Sequence, residues 1–597
     1  METTIASVDA GHRVPRLSEL PTIVWCLAGV ALIAGLDLAI DPTRLVRQIG
    51  DTDDATRLVQ VRELMAGAPW RDTTLARFGG SETLVSHWSR LVDLPSALMV
   101  KAFSLFVEPA RAELAARFAW PLIVLTGVLA LMARNVSARA DRAAALTAVL
   151  LAVTSLSAMN QFVPGRIDHH NMMVLGAVGG ALLLARSTTE PRIGWAAGAL
   201  LGLGTAVGYE ALLLTVAVLA LANLLALVTG RGGDGVWRAS VGFACVLAVA
   251  VVVTTPPARL MIAHCDALSI NLVALAVCAG AGSWAVMRPL RGTSTLTRMA
   301  VLAAAGAVGL VLFGAAEPVC LKGPFGQVDA AAVPVWLETV LETQSLLWMF
   351  SSTPGPAVAA AMFIAAGAGA AAWLAMKERT DASVLLAAVT VAAVALGAWQ
   401  IKFLPYATLL AVVALAVATE RLGALVPGRA GLVRGIVTIA ASQITLLAVA
   451  QPVLSAIGLD RPDKKAVMQG MSACIENAAV TPLSGLGSGR VVGDIDLGPF
   501  MVAQTQLDAV AAPYHRIGRS IADVHRVLYG SEAEAEARVR ALGGSYVAIC
   551  PGLATGLVKP VAKTGLRADL LAGRVPKWLE PVAFVGPTPI RVWRVRN

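Results

Sequence analysis

Asp168-His169-His170, inside Pro164–Asn171, sets one carboxylate and two imidazoles in a short polar gap between the apolar runs Ala143–Ala158 and Met172–Ala185. Such groups pack poorly beside a membrane and ligate metals well. A second acidic cluster, Asp51-Thr52-Asp53-Asp54, follows the first apolar run. If both clusters share one side of the membrane, Asp53 or Asp54 with Asp168 and His170 supplies hard oxygens and one imidazole nitrogen. That set suits Mg²⁺ or Mn²⁺, and Mn²⁺ tolerates the nitrogen better. The competing reading is that Asp51–Asp54 caps the next helix and Asp168 caps the next span, because Asp is a strong N-cap. Placement of both clusters on one face weighs against capping alone.

These residues need a membrane-spanning frame. The chain has 597 residues, 57% apolar and only 15% charged, with a mean hydropathy of +0.70. That composition defines a polytopic membrane protein. The net charge of +9 does not point to nucleic acid, since Arg and Lys sit mainly in gaps between apolar runs. Residues 1–20 are polar, with His12, Arg13 and Arg16, and precede an apolar run. This predicts an uncleaved first span with a cytoplasmic N-terminus. Spans are expected near 20–40, 115–134, 142–159, 171–186, 194–208, 210–229, 237–254, 268–287, 298–315, 356–376, 383–400, 404–419 and 433–452. Alternate gaps hold Arg134, Arg139 and Arg142; Arg186 and Arg192; Arg231 and Arg238; Arg288, Arg291 and Arg298; Lys377 and Arg379; Arg421, Arg429 and Arg434. The other short gaps hold only Arg166, Arg259, Lys322 and Lys402. The bias places the Arg-rich gaps in the cytoplasm, and an odd span count places the C-terminus outside.

The expected fold is a polytopic α-helical membrane protein of about thirteen spans with a C-terminal mixed α/β soluble domain. Residues 1–452 form the membrane domain, with long outer loops at 41–113 and 316–355; residues 453–597 form the outer, periplasmic domain. Leu58, Val61 and Met65 share a face, which predicts a helix lying on the membrane. The loop 316–355 opens rich in Gly and Pro and then reads as helical. In the tail, Arg490–Gln504 and Tyr546–Cys550 read as strands, and Ile521–Tyr529 and Ser531–Leu542 as helices. Cys26, Cys245 and Cys278 fall in apolar runs as packing residues. Cys474 and Cys550 fall in the polar tail, where a disulfide is open to them if that side is oxidising.

Other polar residues have two readings each. Glu342, in Val340-Leu341-Glu342-Thr343-Gln344, is either a solvated helix face beside Glu338 or a site carboxylate. Lys402, at an outer span end, either snorkels or meets a lipid phosphate. His87-Trp88 is an interfacial anchor or part of a substrate wall. Pro513-Tyr514-His515-Arg516 is a packed turn or an acceptor-side lining.

Together these residues resemble the oligosaccharyltransferase catalytic subunit, a branch of the GT-C membrane glycosyltransferases. That family has a thirteen-span body, a cytoplasmic N-terminus and an external C-terminal domain. Its first loop carries a metal-binding Asp before an amphipathic helix. Thr52-Asp53-Asp54-Ala55 with Arg62-Glu63-Leu64-Met65-Ala66-Gly67 is similar, Asp53 matching better by its spacing to the glycine. Archaeal members carry Asp-His-His in the second outer loop, whose Asp and second His bind metal; Asp168 and His170 match. A Ser-Val-Ser-Glu-His-Gln-type motif, whose Glu engages the acceptor, is partly matched around Glu342. The family's basic residue on the donor diphosphate corresponds by position to Lys402. One departure stands out. The family's tail opens with Trp-Trp-Asp-Tyr-Gly, which reads the Ser or Thr of an Asn sequon. Here the counterpart is Asp494-Ile495-Asp496-Leu497-Gly498, with neither tryptophan nor tyrosine.

The resemblance thus implies a metal-dependent, inverting glycosyltransferase. It would move a sugar or oligosaccharide from a polyprenyl-phosphate or polyprenyl-diphosphate donor to an extracytoplasmic glycan, glycolipid or protein acceptor, and not to Asn in ordinary sequons. Asp53, Asp168 and His170 are the expected ligands of Mn²⁺ or Mg²⁺, with Asp54 as substitute ligand or acceptor-side base and Glu342 on metal or acceptor. Lys402 and Arg166 are expected on the donor phosphate, and Asp494, Asp496, His515 and His87 on the acceptor side. The rival is a lipid or polysaccharide transporter without chemistry. Transporters hold key groups near the midplane, whereas these acids lie outside the spans. A metalloprotease would need His-Glu-x-x-His, which is lacking.

Overall fold

The computed structural model describes residues 20–426, 428–554, 558 and 562–596. The polar segment with His12, Arg13 and Arg16 lies outside them. Each expected span is helical over most of its length. Among the described residues nine helices are long and apolar enough to cross a bilayer, and a bent pair makes a tenth. This is a polytopic helical membrane protein with a sheet-containing C-terminal domain.

Three spans differ from expectation. The 142–159 run is a helix only over Arg142–Val153; a turn at Thr154 and Ser155 precedes Leu156–Met159. Thr154 turns its hydroxyl back to the Leu150 carbonyl (2.7 Å), competing with the next helical bond. Ile193–Val207 is 15 residues, shorter than the roughly 20 that cover a bilayer core. The last run bends by 52° between Ala430–Ala441 and Gln443–Ala456, where Ser442 caps the second helix through the Thr445 amide. Leu404–Gly423 runs through the bundle centre, buried from Leu404 to Thr419, which its uninterrupted apolar composition permits.

The Arg-rich gaps meet at one end. Arg139 pairs with Glu378 (2.9 Å), Arg231 with Asp381 (2.8 Å) and Arg288 with Asp234 (3.3 Å). Arg434 reaches Asp141 and Glu420. The long loops and the tail gather at the opposite end.

The first loop folds against the tail. It forms a small hairpin of β1 (Thr74–Leu75) and β2 (Leu84–Val85). The tail holds β3 (Gly489–Gly493), β4 (Leu507–Ala509), β5 (Tyr546–Ile549), β6 (Leu579–Pro581) and β7 (Arg591–Val595), in the order β4-β3-β5-β7-β6. β3 runs parallel to β4 and β5, and β7 antiparallel to β5 and β6. The β4 edge does not stay open: Gly79 donates to the Ala509 carbonyl and Ala509 to the Arg77 carbonyl, both at 2.9 Å. Arg77 also donates to the carbonyls of Val502, Thr505 and Leu507 at 2.9, 2.7 and 2.6 Å.

Two expected elements change here. Arg490–Gln504 is a strand only at its start; Gly498–Gln504 is a helix, with Pro499 in its first turn where the missing N–H is harmless. The helix Thr52–Met65 does not lie on the membrane. Asp54 through Val61 are all buried, because the tail packs on one flank and Asp93–Phe103 on another. Arg57 and Asp93 form a fully buried ion pair at 2.7 Å, joined by Arg90 at 3.2 Å. The loop 316–355 holds 3₁₀ turns at Pro318–Lys322, Leu337–Thr339 and Leu341–Thr343 and an α-helix at Leu346–Ser352, before the span Pro354–Glu378 begins.

Two disulfides lie at the loop-bearing end. Cys474–Cys550 is present, and Cys265–Cys320, which the sequence had not marked, ties two loops together. Cys26 is buried, Cys278 half-buried and Cys245 exposed.

Candidate active site

The helix Thr52–Met65 of the first long loop supplies the acids. Asp51 caps Thr52–Met65, accepting the Asp53 and Asp54 amides at 3.0 and 3.1 Å. Asp54 completes a capping box on the Asp51 amide at 3.1 Å. The capping reading therefore holds for Asp51 and Asp54. Gly50 turns into this helix with φ +121°, and a Cβ there would lie 2.2 Å from an Asp54 oxygen. Asp54 is fully buried and takes the Ile167 and Asp168 amides at 2.7 and 3.0 Å. It thus fastens the Asp-His-His loop to the first loop.

Arg166 sits in the middle. It bonds Asp54 at 2.9 Å and also Asp51 and Asp168. The guanidinium is buried with its forks spent on carboxylates, and it does not line the cavity described below. It was expected on a donor phosphate; in this structure it balances the charge of three acids behind the cavity. Asp168 is likewise occupied. One oxygen accepts the His170 amide at 3.0 Å, and the other faces Arg166 and His170 Nδ1, the latter at 3.1 Å. Burial alone would raise the Asp168 pKa, but Arg166 and then His170 overcome it and hold it low.

Asp53 points the other way, into a cavity of about 740 Å³. His170, Glu342, Lys402, His87, His515, Asp494 and Asp496 line the same cavity. Eight of the eleven expected site residues thus meet in one space, with Asp54, Arg166 and Asp168 directly behind it. Burial, then the Asp51 carboxylate, pushes the Asp53 pKa well above the carboxylate range. A divalent cation would relieve that burden, so this donor set fits one. Glu342 comes within 3.8 Å of His170 Nε2. Lys402 has no carboxylate partner among the described residues; its ammonium rests over Phe325 and Phe403, each 5.7 Å from the ring centre.

The tail closes the cavity. Tyr514 donates to the Thr52 carbonyl (2.9 Å) and contacts Thr56 Oγ1 (2.6 Å), holding the tail to the acid-bearing helix. His515 meets Asp266 at 2.5 Å, and Arg516 clasps the same carboxylate at 2.6 and 2.8 Å. His87 stacks on His515, ring centres 4.8 Å apart. Burial, then His515, drives the His87 pKa well down, leaving it neutral. Asp494 lines the cavity on the side expected for the acceptor, and its oxygens bond Arg567 and the Cys550 amide (2.7 Å). Asp496 has no cationic partner among the described residues, and burial, then Asp494, raises its pKa to about 6.

Sequence reasoning passed over Glu210 and Asp266. Glu210 lines the cavity and faces His169 at 3.4 Å. Its signal was an acid between two apolar runs, at the break Gly208-Tyr209-Glu210. Asp266 stood beside Cys265 with no motif around it.

No family model and no curated protein sequence matches this chain. Solved structures do share its fold. The archaeal oligosaccharyltransferase AglB from Archaeoglobus fulgidus, in complex with an inhibitory peptide and a dolichol-phosphate, is 15% identical with a TM-score of 0.59, over 94% of this chain and 74% of that one. The same enzyme in complex with Zn and sulfate is 16% identical with a TM-score of 0.52, over 95% and 73%. This chain therefore shares the fold of the Archaeoglobus fulgidus oligosaccharyltransferase. At such identity the likeness establishes the fold; the chemistry has to come from the site.

Proposed function

We propose that this protein is a GT-C glycosyltransferase that moves a sugar or oligosaccharide from a polyprenyl-phosphate or polyprenyl-diphosphate donor to an acceptor on the outer side of the membrane. The observation that carries the proposal is the single cavity that opposes an acid-rich wall, Asp53 and Glu342 with His170, to the carboxylate-free Lys402. A flippase needs no such acid wall outside its spans. The neighbours solved with dolichol-phosphate and with Zn support a lipid phosphate and a cation for this fold.

Asp53 and His170 would hold Mn²⁺ or Mg²⁺, with Asp168 orienting His170 from behind. When bound, the cation offsets negative charge on the leaving phosphate. Lys402 takes a phosphate oxygen of the donor. The acceptor heteroatom forms a bond to the anomeric carbon as the bond from that carbon to the phosphate oxygen breaks. The electron pair leaves with the phosphate, the configuration inverts, and Glu342 accepts the acceptor's proton.

The acceptor is not Asn in an ordinary sequon. The tail segment Asp494–Gly498 offers no indole, Asp494 is spent on Arg567, and Asp496 is the cavity carboxylate there with no cationic partner among the described residues. A lone carboxylate accepts hydrogen bonds from hydroxyl-rich acceptors such as glycans or glycolipids. Both disulfides at the loop-bearing end support an oxidising outer compartment there. The test supplies purified protein with a polyprenyl-linked labelled sugar, Mn²⁺, and either glycolipid or sequon peptide. Transfer to glycolipid, lost in Asp53→Asn, is expected; efficient peptide transfer overturns the acceptor class. Lipid movement across vesicles without transfer to anything would favour the transporter.

A further inference from the structure

We infer that His169, the middle residue of the Asp-His-His tripeptide, is a direct ligand of the cation, completing a set of Asp53, His169 and His170 with two nitrogens and one carboxylate. The inference rests on the cation reading above and states which side chains meet the ion. Asp53, His169 and His170 each offer one ligand atom, all within 4.8 Å of one another. The other acid group, Asp51, Asp54 and Asp168, already has its charge met by the Arg166 guanidinium, which bonds all three.

The rings are set up from behind. His170 Nδ1 faces Asp168 at 3.1 Å and His169 Nε2 faces Glu210 at 3.4 Å. With a carboxylate accepting an N–H from each of these nitrogens, the lone pairs fall on His169 Nδ1 and His170 Nε2. This is the arrangement in which metal-binding histidines are usually held, the outer nitrogen on a carboxylate and the inner one on the ion. His169 Nδ1 is the more telling atom. Its side chain is 1% exposed, and the nitrogen has no hydrogen-bond partner among the described residues. A buried, unpaired ring nitrogen is unfavourable unless something fills the position.

The neighbourhood keeps this geometry open. Trp88 packs on the His169 ring, centres 4.9 Å apart, and the two imidazoles lie 4.4 Å apart. At Gly208 a Cβ would fall 2.5 Å from His169 Cδ2 and 2.9 Å from a Glu210 oxygen, so only glycine leaves His169 and Glu210 together. Asp168 is a positioning residue for His170, its oxygens already facing the His170 amide, the His170 ring and Arg166. Glu210 is the positioning residue for His169. Two nitrogens shift the site away from Mg²⁺ and Ca²⁺, which want oxygen, toward Mn²⁺ and later divalent ions.

The experiment binds Mn²⁺ to the full-length detergent-purified protein and reads it by pulsed electron paramagnetic resonance, which counts coupled imidazole nitrogens. Two are expected in the unmodified protein and one in His169→Gln. Calorimetric competition should show Mn²⁺ held at least about tenfold tighter than Mg²⁺. Glu210→Gln should keep both nitrogens and weaken Mn²⁺ by roughly tenfold or more; unchanged affinity overturns the positioning role. One nitrogen in the unmodified protein, with Mn²⁺ bound and lost in Asp53→Asn, overturns the role of His169 and leaves the cation reading standing. No Mn²⁺ binding at all overturns both.

Discussion

Asp53 and Asp54 are neighbours in one helix turn, yet they belong to two regions of opposite character. On the Asp54 side, Asp51, Asp54 and Asp168 surround Arg166 and two backbone amides. On the Asp53 side, Asp53, Glu342 and Asp496 face a cavity, with Lys402 left without a carboxylate. The first region satisfies its charges internally and holds two loops together. The second leaves charge unsatisfied, which costs stability and is useful only when a ligand arrives. Adjacent residues of one type thus divide into scaffold and site according to the direction in which each side chain leaves the helix.

The sharpest test of this division removes Arg166. Arg166→Ala strands three acids, and a broken buried ion pair typically costs about 3–5 kcal/mol. The apparent unfolding midpoint in detergent should drop steeply or the protein should fail to accumulate. A variant as stable as the parent, with only its donor affinity reduced, would restore Arg166 to the donor side and break the comparison. Next in size, Asp53→Asn should lose transfer by on the order of 10²-fold while the unfolding midpoint stays put or rises. Equal losses of stability in Asp53→Asn and Asp54→Asn would erase the difference between the two sides.

A smaller effect is expected at Lys402. Lys402→Ala should weaken donor use by roughly tenfold, about 1.4 kcal/mol, with partial recovery in Lys402→Arg, since the charge returns in another shape. Kinetics with varied donor concentration check it. The smallest effect belongs to Asp496. Its pKa in the fold, about 6, lies above its ordinary value. The contribution to stability is then full below about pH 4 and is lost as pH rises through 6. Asp496→Asn should therefore match the parent at low pH and exceed it above pH 6, by on the order of 1 kcal/mol. A profile in which the variant is weaker above pH 6 would give Asp496 a cationic partner.

Much of this was readable along the chain. The apolar runs located the spans, because a bilayer imposes length and composition on any segment that crosses it. Asp168-His169-His170 and Asp51–Asp54 announced themselves as acids and imidazoles at span ends. What misled was local. Leu58, Val61 and Met65 share an apolar face, which looked like a membrane surface; the tail and Asp93–Phe103 cover that helix instead. Arg490–Gln504 carries enough apolar residues for a strand, but Pro499 begins a helix there. Glu210 stood alone between apolar runs, and only the fold brings it to His169.

By itself the sequence determined the membrane-spanning class, the grouping of basic gaps, and the residue types on offer at the span ends, since these follow from transfer free energies and from local composition. Which acid faces Arg166 and which faces the cavity, that Asp168 is spent while His169 Nδ1 stays unpaired, and that β4 is covered by the first loop were decided only by the tertiary structure. The loop-to-loop and loop-to-tail pairings bring groups more than a hundred residues apart to about 3 Å, and the strength of charge pairing and desolvation depends on that distance and on burial. Neither quantity is written in the order of the residues.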